Sequence, residues 1–497
     1  MKNLTDLLSN FLIDRNRWNK RICVLSLILL GIALPFLLVT YIDYYSWGDV
    51  ETFRSWSDCW GQQIYAAYCS KLPPNYPVVG LTVSAGLINT ISSIFGITER
   101  NTSILIFRYC LAFIDALNFL LFVLLASLMR FRHPIHIGLI LLMMPSTWVG
   151  SAVWGQIDGI LLFFCLLSVI GFFKAWLASG VEAGSQKAWK SGIYLLLGIL
   201  SFCLYLLTKQ LALFSLPFFF ILFLITVWKF WKSFRYRSLF WLSLALIVFI
   251  LCFRYIDSFF EVPEQFHHSS YWFVLKGAGS EYGNKISVNG FNLWMFLGLD
   301  MSSSSHVPFF TLELGSWMDP ISPYKAGIIS YSIFIAFLLL TAFKGASTIL
   351  KKNVWIEQKD KLESHLMALL CFFHGFCHLG FNVLLCGTHE RYLYLGYPFL
   401  LISVAWFYTN QLVFSRQPAI CCFLAAAAYG CFVFSFIKGL PPLLFPLRRH
   451  EFLASIHLFL LVFLLDQWML ICQLNPKNSS ASLQVDRHIA LPNKALD

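Results

Sequence analysis

The amino-acid sequence predicts an all-α integral membrane protein with about 12 transmembrane helices, and three observations support this fold class. Of the 497 residues 58% are hydrophobic and 12% are charged, whereas a soluble domain carries roughly 25% charged residues. Apolar runs long enough to cross a bilayer recur along the chain, which has a mean hydropathy of +0.69. Lysine and arginine collect in the short loops on one face, as the positive-inside tendency expects.

The chain divides into a cytoplasmic N-terminal segment at 1–22, a single transmembrane domain at 23–473 and a cytoplasmic tail at 474–497. The N-terminal segment is too polar and too long for a typical cleaved signal peptide, so the first apolar run is predicted to be retained as a helix. The predicted spans are 23–42, 104–128, 135–149, 160–177, 193–207, 211–228, 239–253, 326–343, 366–386, 395–408, 420–437 and 453–472.

The segment 78–95 is moderately apolar and rich in Gly, Ser and Thr, and three placements stay open. It crosses the membrane, lies in the interface or re-enters from one side. If it crosses, Arg130 and Arg132 fall outside and every later basic loop is inverted. If it does not cross, the alternation is regular. Residues 43–103 then form a first outer loop with juxtamembrane helices, and 255–325 form a long second one.

The formal net charge of +11 fits a membrane protein with basic cytoplasmic loops better than a nucleic-acid-binding protein. One pair of arginines is an exception. Arg448 and Arg449 fall in the last outer loop, where they are predicted to lie at the interface, with contact to a lipid phosphate as the alternative.

The 14 cysteines lie mostly alone inside apolar runs, where cysteine behaves as a small hydrophobic residue. No C-x-x-C pair indicates a zinc or redox site. Cys59 and Cys69 share the first outer loop, so a disulfide between them is one option.

Four polar clusters fall on the predicted non-cytoplasmic face, and each also has a structural explanation. The clusters are Asp49 with Glu51, Gln156 with Asp158, Lys209 with Gln210, and His389 with Glu390 and Arg391. A carboxylate can cap a helix, a lysine at a helix end can reach the interface, and a His-Glu-Arg turn can satisfy its own charges. Their common face favours a shared site.

The chemistry that these clusters predict is glycosyl transfer from a lipid phosphate. Asp49 is the predicted general base, because a carboxylate at the interface can accept the proton of an acceptor hydroxyl. Glu51 would orient Asp49 or help to hold a metal, and the need for a divalent metal ion stays open. Lys209, Arg391 and His389 would neutralise the leaving phosphate.

Two further pairs of polar residues lie within predicted helices. Arg108 and Asp115 are seven residues apart and share a helix face, so they are predicted to form a structural pair, with Arg108 kept as a candidate site residue. His374 and His378 have helical i, i+4 spacing without an acidic partner, and they are predicted to be packing residues rather than metal ligands.

Several of these strings occur in an order that resembles a known class of enzyme. They are the acidic loop, P-P-N-Y-P at 73–77, W-G-Q-I-D at 154–158, N-L-W at 292–294 and H-E-R-Y-L at 389–393. The set, from about residue 41 to residue 397, resembles the GT-C glycosyltransferases, in particular the mannosyltransferases related to the second mannosyltransferase of GPI assembly. Members of the family often carry Y-P-P at the proline turn, and the departure from it here leaves the local geometry of this turn open.

The resemblance implies an inverting transfer, metal-independent or metal-assisted, with a sugar on a polyprenyl phosphate as donor. It also implies that an acid of the first outer loop is the catalytic residue. That acid corresponds to Asp49, with Glu51 as the second candidate. Asn292 and Trp294, in the N-L-W string, are candidate substrate-binding residues. The implied partners are the polyprenyl-phosphate sugar, a lipid or glycan acceptor and membrane lipids.

The leading functional hypothesis is therefore a hexosyltransferase, in particular a mannosyltransferase, acting on the non-cytoplasmic face of a bacterial plasma membrane or an endoplasmic reticulum. The alternative is a non-catalytic transporter of lipid-linked saccharide or polysaccharide. Transporters often show internal repeats and charges near the bilayer midplane, and neither is evident in the sequence. A third option, an acyl or phosphoglycerol transferase, would use similar acid and cation clusters with another donor.

Overall fold

The computed structural model has the predicted all-α membrane architecture. The described residues are 18–42, 47–60, 74–97, 99–179, 185–234, 236–260, 269–308, 310–314, 317–351, 359–410, 417–438, 446–447 and 449–473. Among them, 12 helices are long and apolar enough to cross a membrane, or 13 if a bent helix pair counts as one more span. The fold-class prediction is confirmed.

The helices follow one another in chain order with few strands between them. They are α1 Trp18–Tyr41, α2 Trp47–Asp58, α3 Val78–Phe95, α4 Arg100–Leu128, α5 Pro134–Met143, α6 Pro145–Val153, α7 Asp158–Ala178, α8 Ser185–Thr208, α9 Leu216–Phe234, α10 Tyr236–Leu251, α11 Ser270–Tyr282, α12 Leu293–Phe296, α13 Pro323–Lys351, α14 Lys359–Leu384, α15 Gly396–Thr409, α16 Gln417–Lys438 and α17 His450–Gln473. The strands are β1 Ser287–Val288, β2 Phe310–Leu314, β3 Trp317–Ile321 and β4 Thr388–His389.

One end of the bundle collects the predicted site residues, and we call it the polar end, defined by Asp49, Asp158, Lys209 and Arg391. The helices α1 and α4 are antiparallel neighbours there. The hydroxyls of Thr40 and Tyr109 are 3.0 Å apart, and a Cβ placed on Gly31 would lie 2.5 Å from the ring of Phe119. Because α1 ends at the polar end, α4 begins there.

The helix α3, whose placement the sequence left open, starts and finishes near the polar end. The backbone N–H of Val78 donates to Ser270 Oγ at 3.2 Å, and Asn89 Nδ2 donates to the carbonyl of Ser57 in α2 at 3.2 Å. A five-residue π-helical stretch, Thr82–Gly86, interrupts its middle. These contacts favour a helix that lies against the polar end over one that crosses, although its length and composition would permit a span.

The helices α5 and α6 form a broken element bent by 60°. Pro145 begins α6, and a proline lacks the N–H that would continue the preceding helix. Farther along, Ser151 has non-helical dihedral angles, φ −109° and ψ −105°, inside a π-helical turn. This second irregularity lies just before Trp154 and turns the chain toward the polar end.

The long second outer loop is partly folded and is tied to the end of α14. The short strand β1 pairs in parallel with β4, with Ser287 opposite Thr388 and Val288 opposite His389. The strands β2 and β3 form an antiparallel hairpin farther out. The first pairing anchors the predicted His-Glu-Arg cluster to a loop that is about 100 residues away in sequence.

The centre of the bundle is α14, which is almost wholly buried, whereas α1, α10 and α13 are largely exposed on the outside. The exposed side chains of these outer helices are mainly large and apolar, as a lipid-facing surface requires. At the end opposite the polar end, Lys229 pairs with Glu363 at 2.9 Å.

Candidate active site

Asp49 is the centre of a hydrogen-bonded cluster at the polar end. Its Oδ2 accepts from Trp154 Nε1 at 2.9 Å and from Arg391 Nη1 at 3.0 Å. Asp49 also lies in the first turn of α2, where the helix dipole favours a negative charge. Burial alone would raise the pKa of Asp49, but the Arg391 guanidinium and the Trp154 hydrogen bond hold it well below its usual range. Asp49 is therefore ionised at neutral pH.

The segment after β4 supplies the cation that faces Asp49. Arg391 Nη2 donates to His389 Nε2 at 3.0 Å, and His389 Nδ1 contacts the carboxylate of Glu390. A histidine whose Nε2 accepts a hydrogen bond carries its proton on Nδ1, which matches a contact with a carboxylate. Burial, together with the nearby guanidinium, lowers the pKa of His389 despite Glu390, so the imidazole is neutral at pH 7.

A second, deeper ion pair joins Lys209 and Asp158. Lys209 Nζ and Asp158 Oδ1 are 2.5 Å apart, and their side chains expose 5% and 0% of their surface. Burial lowers the pKa of Lys209, and the Asp158 carboxylate acts in the opposite direction. Lys209 directly follows α8 and Asp158 begins α7, so the pair joins the polar ends of two neighbouring helices.

The proline turn before α3 links the two ion pairs. The hydroxyl of Tyr76 donates to Gln156 Oε1 at 3.1 Å, and Lys209 Nζ lies 5.4 Å from the centre of the Tyr76 ring. Gln156 in turn contributes to lowering the pKa of Asp49. Pro73, the first residue of the predicted turn, lies outside the described residues.

The helix α4 holds the irregular chain of α6 in place. Arg108 Nε donates to the carbonyl of Ala152 at 3.1 Å, and Asp115 Oδ2 accepts from the N–H of Ala152 at 3.4 Å. Arg108 Nη2 also donates to the carbonyl of Ile42 at 2.8 Å. Arg108 and Asp115, which were predicted to form a pair, thus both bond to the backbone of Ala152, two residues before Trp154.

The second outer loop supports the His-Glu-Arg segment from behind. Asn292 Nδ2 donates to the carbonyls of Ile286 and Leu385, at 2.8 Å and 3.2 Å. Trp294 Nε1 donates to the carbonyl of Leu384 at 3.0 Å. Because these donors bond to backbone, Asn292 and Trp294 position the segment that carries Arg391.

Two predicted site residues, Glu51 and Gln210, lie next to the site in sequence, and the two predicted packing histidines lie in the interior. Glu51 follows Asp49 by two positions in α2, and such residues do not face each other on a helix. Gln210 begins the 3-10 helix after Lys209 and is partly exposed. His374 and His378 are buried within α14, and both Nε2 atoms contact Ser215 Oγ, at 2.9 Å and 2.7 Å. They are therefore packed in the interior.

Two contributors to the site were not among the predicted site residues. Trp154 and Tyr76 both bond to the predicted polar groups, although each lies inside a string that the sequence had singled out. Among the described residues, no group of three or more His, Cys, Asp or Glu side chains could hold a metal ion.

The site is partly open to its surroundings. The side chains of Arg391 and Asp49 expose 16% and 26% of their surface, so a ligand can reach the Asp49–Arg391 pair. The Lys209–Asp158 pair lies beneath it. An anion that entered would meet two cations, Arg391 and Lys209, each paired with a carboxylate.

Comparisons with known proteins add no family assignment to this geometry. No protein-family model matches the chain, and no curated protein matches it either.

Proposed function

We propose that this protein is a membrane glycosyltransferase that moves a hexose, in particular mannose, from a polyprenyl-phosphate donor to a lipid or glycan acceptor. The observation that carries the proposal is the Asp49–Arg391 pair, a partly exposed carboxylate bonded to a cation that suits a phosphate. Lys209 lies beneath it as a second cation. This combination of a base with phosphate-binding cations is what the reaction requires.

The low pKa of Asp49 has a consequence for this chemistry. A carboxylate bonded to a guanidinium is a weak base, so Asp49 needs to lose part of that interaction before it takes a proton. The donor phosphate would compete for Arg391. Asp49 would then accept the acceptor's hydroxyl proton while the acceptor oxygen bonds to the anomeric carbon. The bond from that carbon to the phosphate oxygen breaks, and the polyprenyl phosphate leaves with its electron pair, held by Arg391 and Lys209.

Two features support a reaction on the non-cytoplasmic face. Arg130 lies between α4 and α5, and Lys229 and Lys344 lie in the last part of α9 and α13. All three are toward the end opposite the polar end, in line with the positive-inside tendency. Cys59, just after α2 at the polar end, is disulfide-bonded, and disulfides persist on oxidising, non-cytoplasmic faces. Its predicted partner Cys69 lies outside the described residues.

The test is transfer of radiolabelled sugar from polyprenyl-phosphate-mannose and polyprenyl-phosphate-glucose to native membrane lipids by purified protein. Wild type should transfer one of the two sugars, and Asp49→Asn should abolish transfer. The matched control is Asp58→Asn, a change of an exposed carboxylate on the same helix, which should keep activity. Activity retained by folded Asp49→Asn protein would remove the proposed base. Absence of transfer by wild type from either donor would count against the enzyme.

A transporter of lipid-linked saccharide is the second candidate, because one observation favours it. The broken α5–α6 element lies beside the buried carboxylate of Asp115, and transporters build their binding sites on such interrupted helices. Movement of labelled lipid-linked sugar across proteoliposomes without a transferred product would support this function over the enzyme.

A further inference from the structure

A group of buried oxygen atoms surrounds the irregular turn of α6, beneath the Asp49–Arg391 pair. Six side chains contribute one oxygen each that is shielded from solvent and makes no hydrogen bond of normal geometry within the part of the chain that the structure describes. They are Asp115 Oδ1, Asn118 Oδ1, Ser151 Oγ, Asp158 Oδ2, Tyr394 Oη and Tyr429 Oη. All six residues expose 1% of their surface or less. We call this group the oxygen cluster.

Two glycines show which members of this cluster lie close to each other. A Cβ on Gly159 would collide with Ser151 Oγ and would lie 2.6 Å from Asp115 Oδ1. A Cβ on Gly150 would lie 3.0 Å from the Tyr394 ring and 3.5 Å from the hydroxyl of Tyr429. Any larger residue at Gly159 would therefore fill the space that two of these oxygens face.

Electrostatic contacts connect the rest of the cluster. Tyr394 interacts with Ser151 and with the carboxylates of Asp115 and Asp158, and Tyr429 also interacts with Asp158. Asn118 anchors the same region, because its Nδ2 donates to the carbonyl of Gly159 at 2.8 Å. The same amide also contacts the Asp115 carboxylate, as the hydroxyl of Ser151 does.

The charges around the polar end balance when the Asp115 carboxyl carries a proton. The acidic groups in and above the oxygen cluster are Asp49, Asp115, Asp158 and Glu390, and the basic groups are Arg108, Lys209 and Arg391. With Asp115 protonated and His389 neutral, three carboxylates face three cations, and an ionised Asp115 would need a further cation. Buried charges are retained in proteins when they are paired or coordinate a metal ion.

The donor set indicates which ion would fit. Oxygen-only ligands suit hard cations, and nitrogen or sulfur ligands, which transition metals favour, are not part of the six. A monovalent ion that replaced the Asp115 proton would keep the charges balanced, whereas a divalent ion would leave a net positive charge. The broken helix supplies the setting, because interrupted helices buried in membrane proteins are where such ions are coordinated.

We propose that the oxygen cluster is a binding site for one sodium-like monovalent cation, with Asp115 as its main charged ligand. The ion would fix the turn at Ser151 and so the position of Trp154, which bonds to Asp49. This inference does not depend on the proposed transferase activity, because the site and its test involve no sugar substrate.

The test measures ion binding to the purified full-length protein without substrate. Radioactive sodium should bind saturably with about one ion per chain, and sodium chloride should raise the Tm above that in choline chloride of equal ionic strength. Asp115→Asn, Ser151→Ala and Gly159→Ala should each abolish both effects. Three variants are used so that a failure of one to fold leaves the others informative.

Matched controls separate the site from general damage. Ser168→Ala removes another buried hydroxyl, which donates to the carbonyl of Gly198, and Asp466→Asn neutralises an exposed carboxylate on α17. Both should keep the sodium-dependent rise in Tm. No saturable sodium binding to the folded wild type would overturn the proposal. Sodium effects that persist in folded Asp115→Asn and Ser151→Ala would do the same, and so would a rise in Tm specific to calcium.

Discussion

Removing either member of the Lys209–Asp158 pair should be far more costly than removing both. Lys209→Met leaves an ionised carboxylate without its cation in a site where Asp158 exposes 0% of its side chain. Asp158→Asn leaves the ammonium of Lys209 without its counter-charge at 5% exposure. Removing one partner of a buried ion pair costs about 3–5 kcal/mol, whereas replacing both with neutral groups is often nearly neutral.

The double variant Lys209→Met/Asp158→Asn should therefore recover most of the stability that either single variant loses. Two losses of about 3–5 kcal/mol would sum to roughly 6–10 kcal/mol if the residues acted independently, so the coupling energy should be several kcal/mol. Under the proposed function the double variant should still be inactive, because the cation beneath the donor phosphate is gone.

The assay is reversible unfolding by SDS titration in mixed micelles, followed by tryptophan fluorescence, for wild type, both single variants and the double variant. The control is Asp58→Asn, which breaks an exposed ion pair with Arg54 and should cost less than about 1 kcal/mol. If the double variant lost the sum of the two single losses, Lys209 and Asp158 would not be coupled, and the buried ion pair would be refuted.

Three further predictions concern the segment around β4. Arg391→Lys should lower kcat/KM by about tenfold or more, because a lysine cannot reproduce the planar guanidinium that bonds to both Asp49 and His389. Unchanged kcat/KM in the transfer assay would contradict this prediction. The pKa of His389 is lowered in the folded state, so as the pH falls the unfolded chain binds a proton at this residue before the folded chain does. Wild type should therefore lose stability as the pH falls from about 7.5 to about 5.5. His389→Gln should reduce that loss, as Tm measured at both pH values would show, and an unaltered pH dependence would contradict it. Asn292→Ala should cost about 1–3 kcal/mol, measured by the same SDS titration, because buried carbonyls lose their donor; a loss near zero would contradict the support role.

The sequence could predict which polar residues lie at the same end of the bundle, because this depends only on the number of helices between them. Once the number of crossings between two loops is known, the face of each loop follows. Asp49, Asp158, Lys209 and Arg391 were assigned to one face in this way, and they lie at one end of the bundle. The proposal that this face is the non-cytoplasmic one depends on the distribution of basic residues and on Cys59.

The individual partners could not be predicted, because they depend on packing between distant segments. Hydropathy gives the length of α3 but not the hydrogen bonds of Val78 and Asn89 that keep it at the polar end. Similarly, the spacing of Arg108 and Asp115 predicts a shared helix face. It carries no information on Ala152, the residue to which both bond.

The irregular turn of α6 explains why the polar residues of this protein converge where they do. A regular helix through Ser151 would direct Trp154 and Asp158 according to helical spacing alone, with every backbone group satisfied internally. The break frees backbone groups that need partners in a membrane, and Arg108 and Asp115 of α4 supply them at Ala152. The polar residues of α4 are thus required by the break. The same break presents Trp154 to the Asp49 carboxylate and Asp158 to Lys209, so one local departure from helical geometry organises both ion pairs.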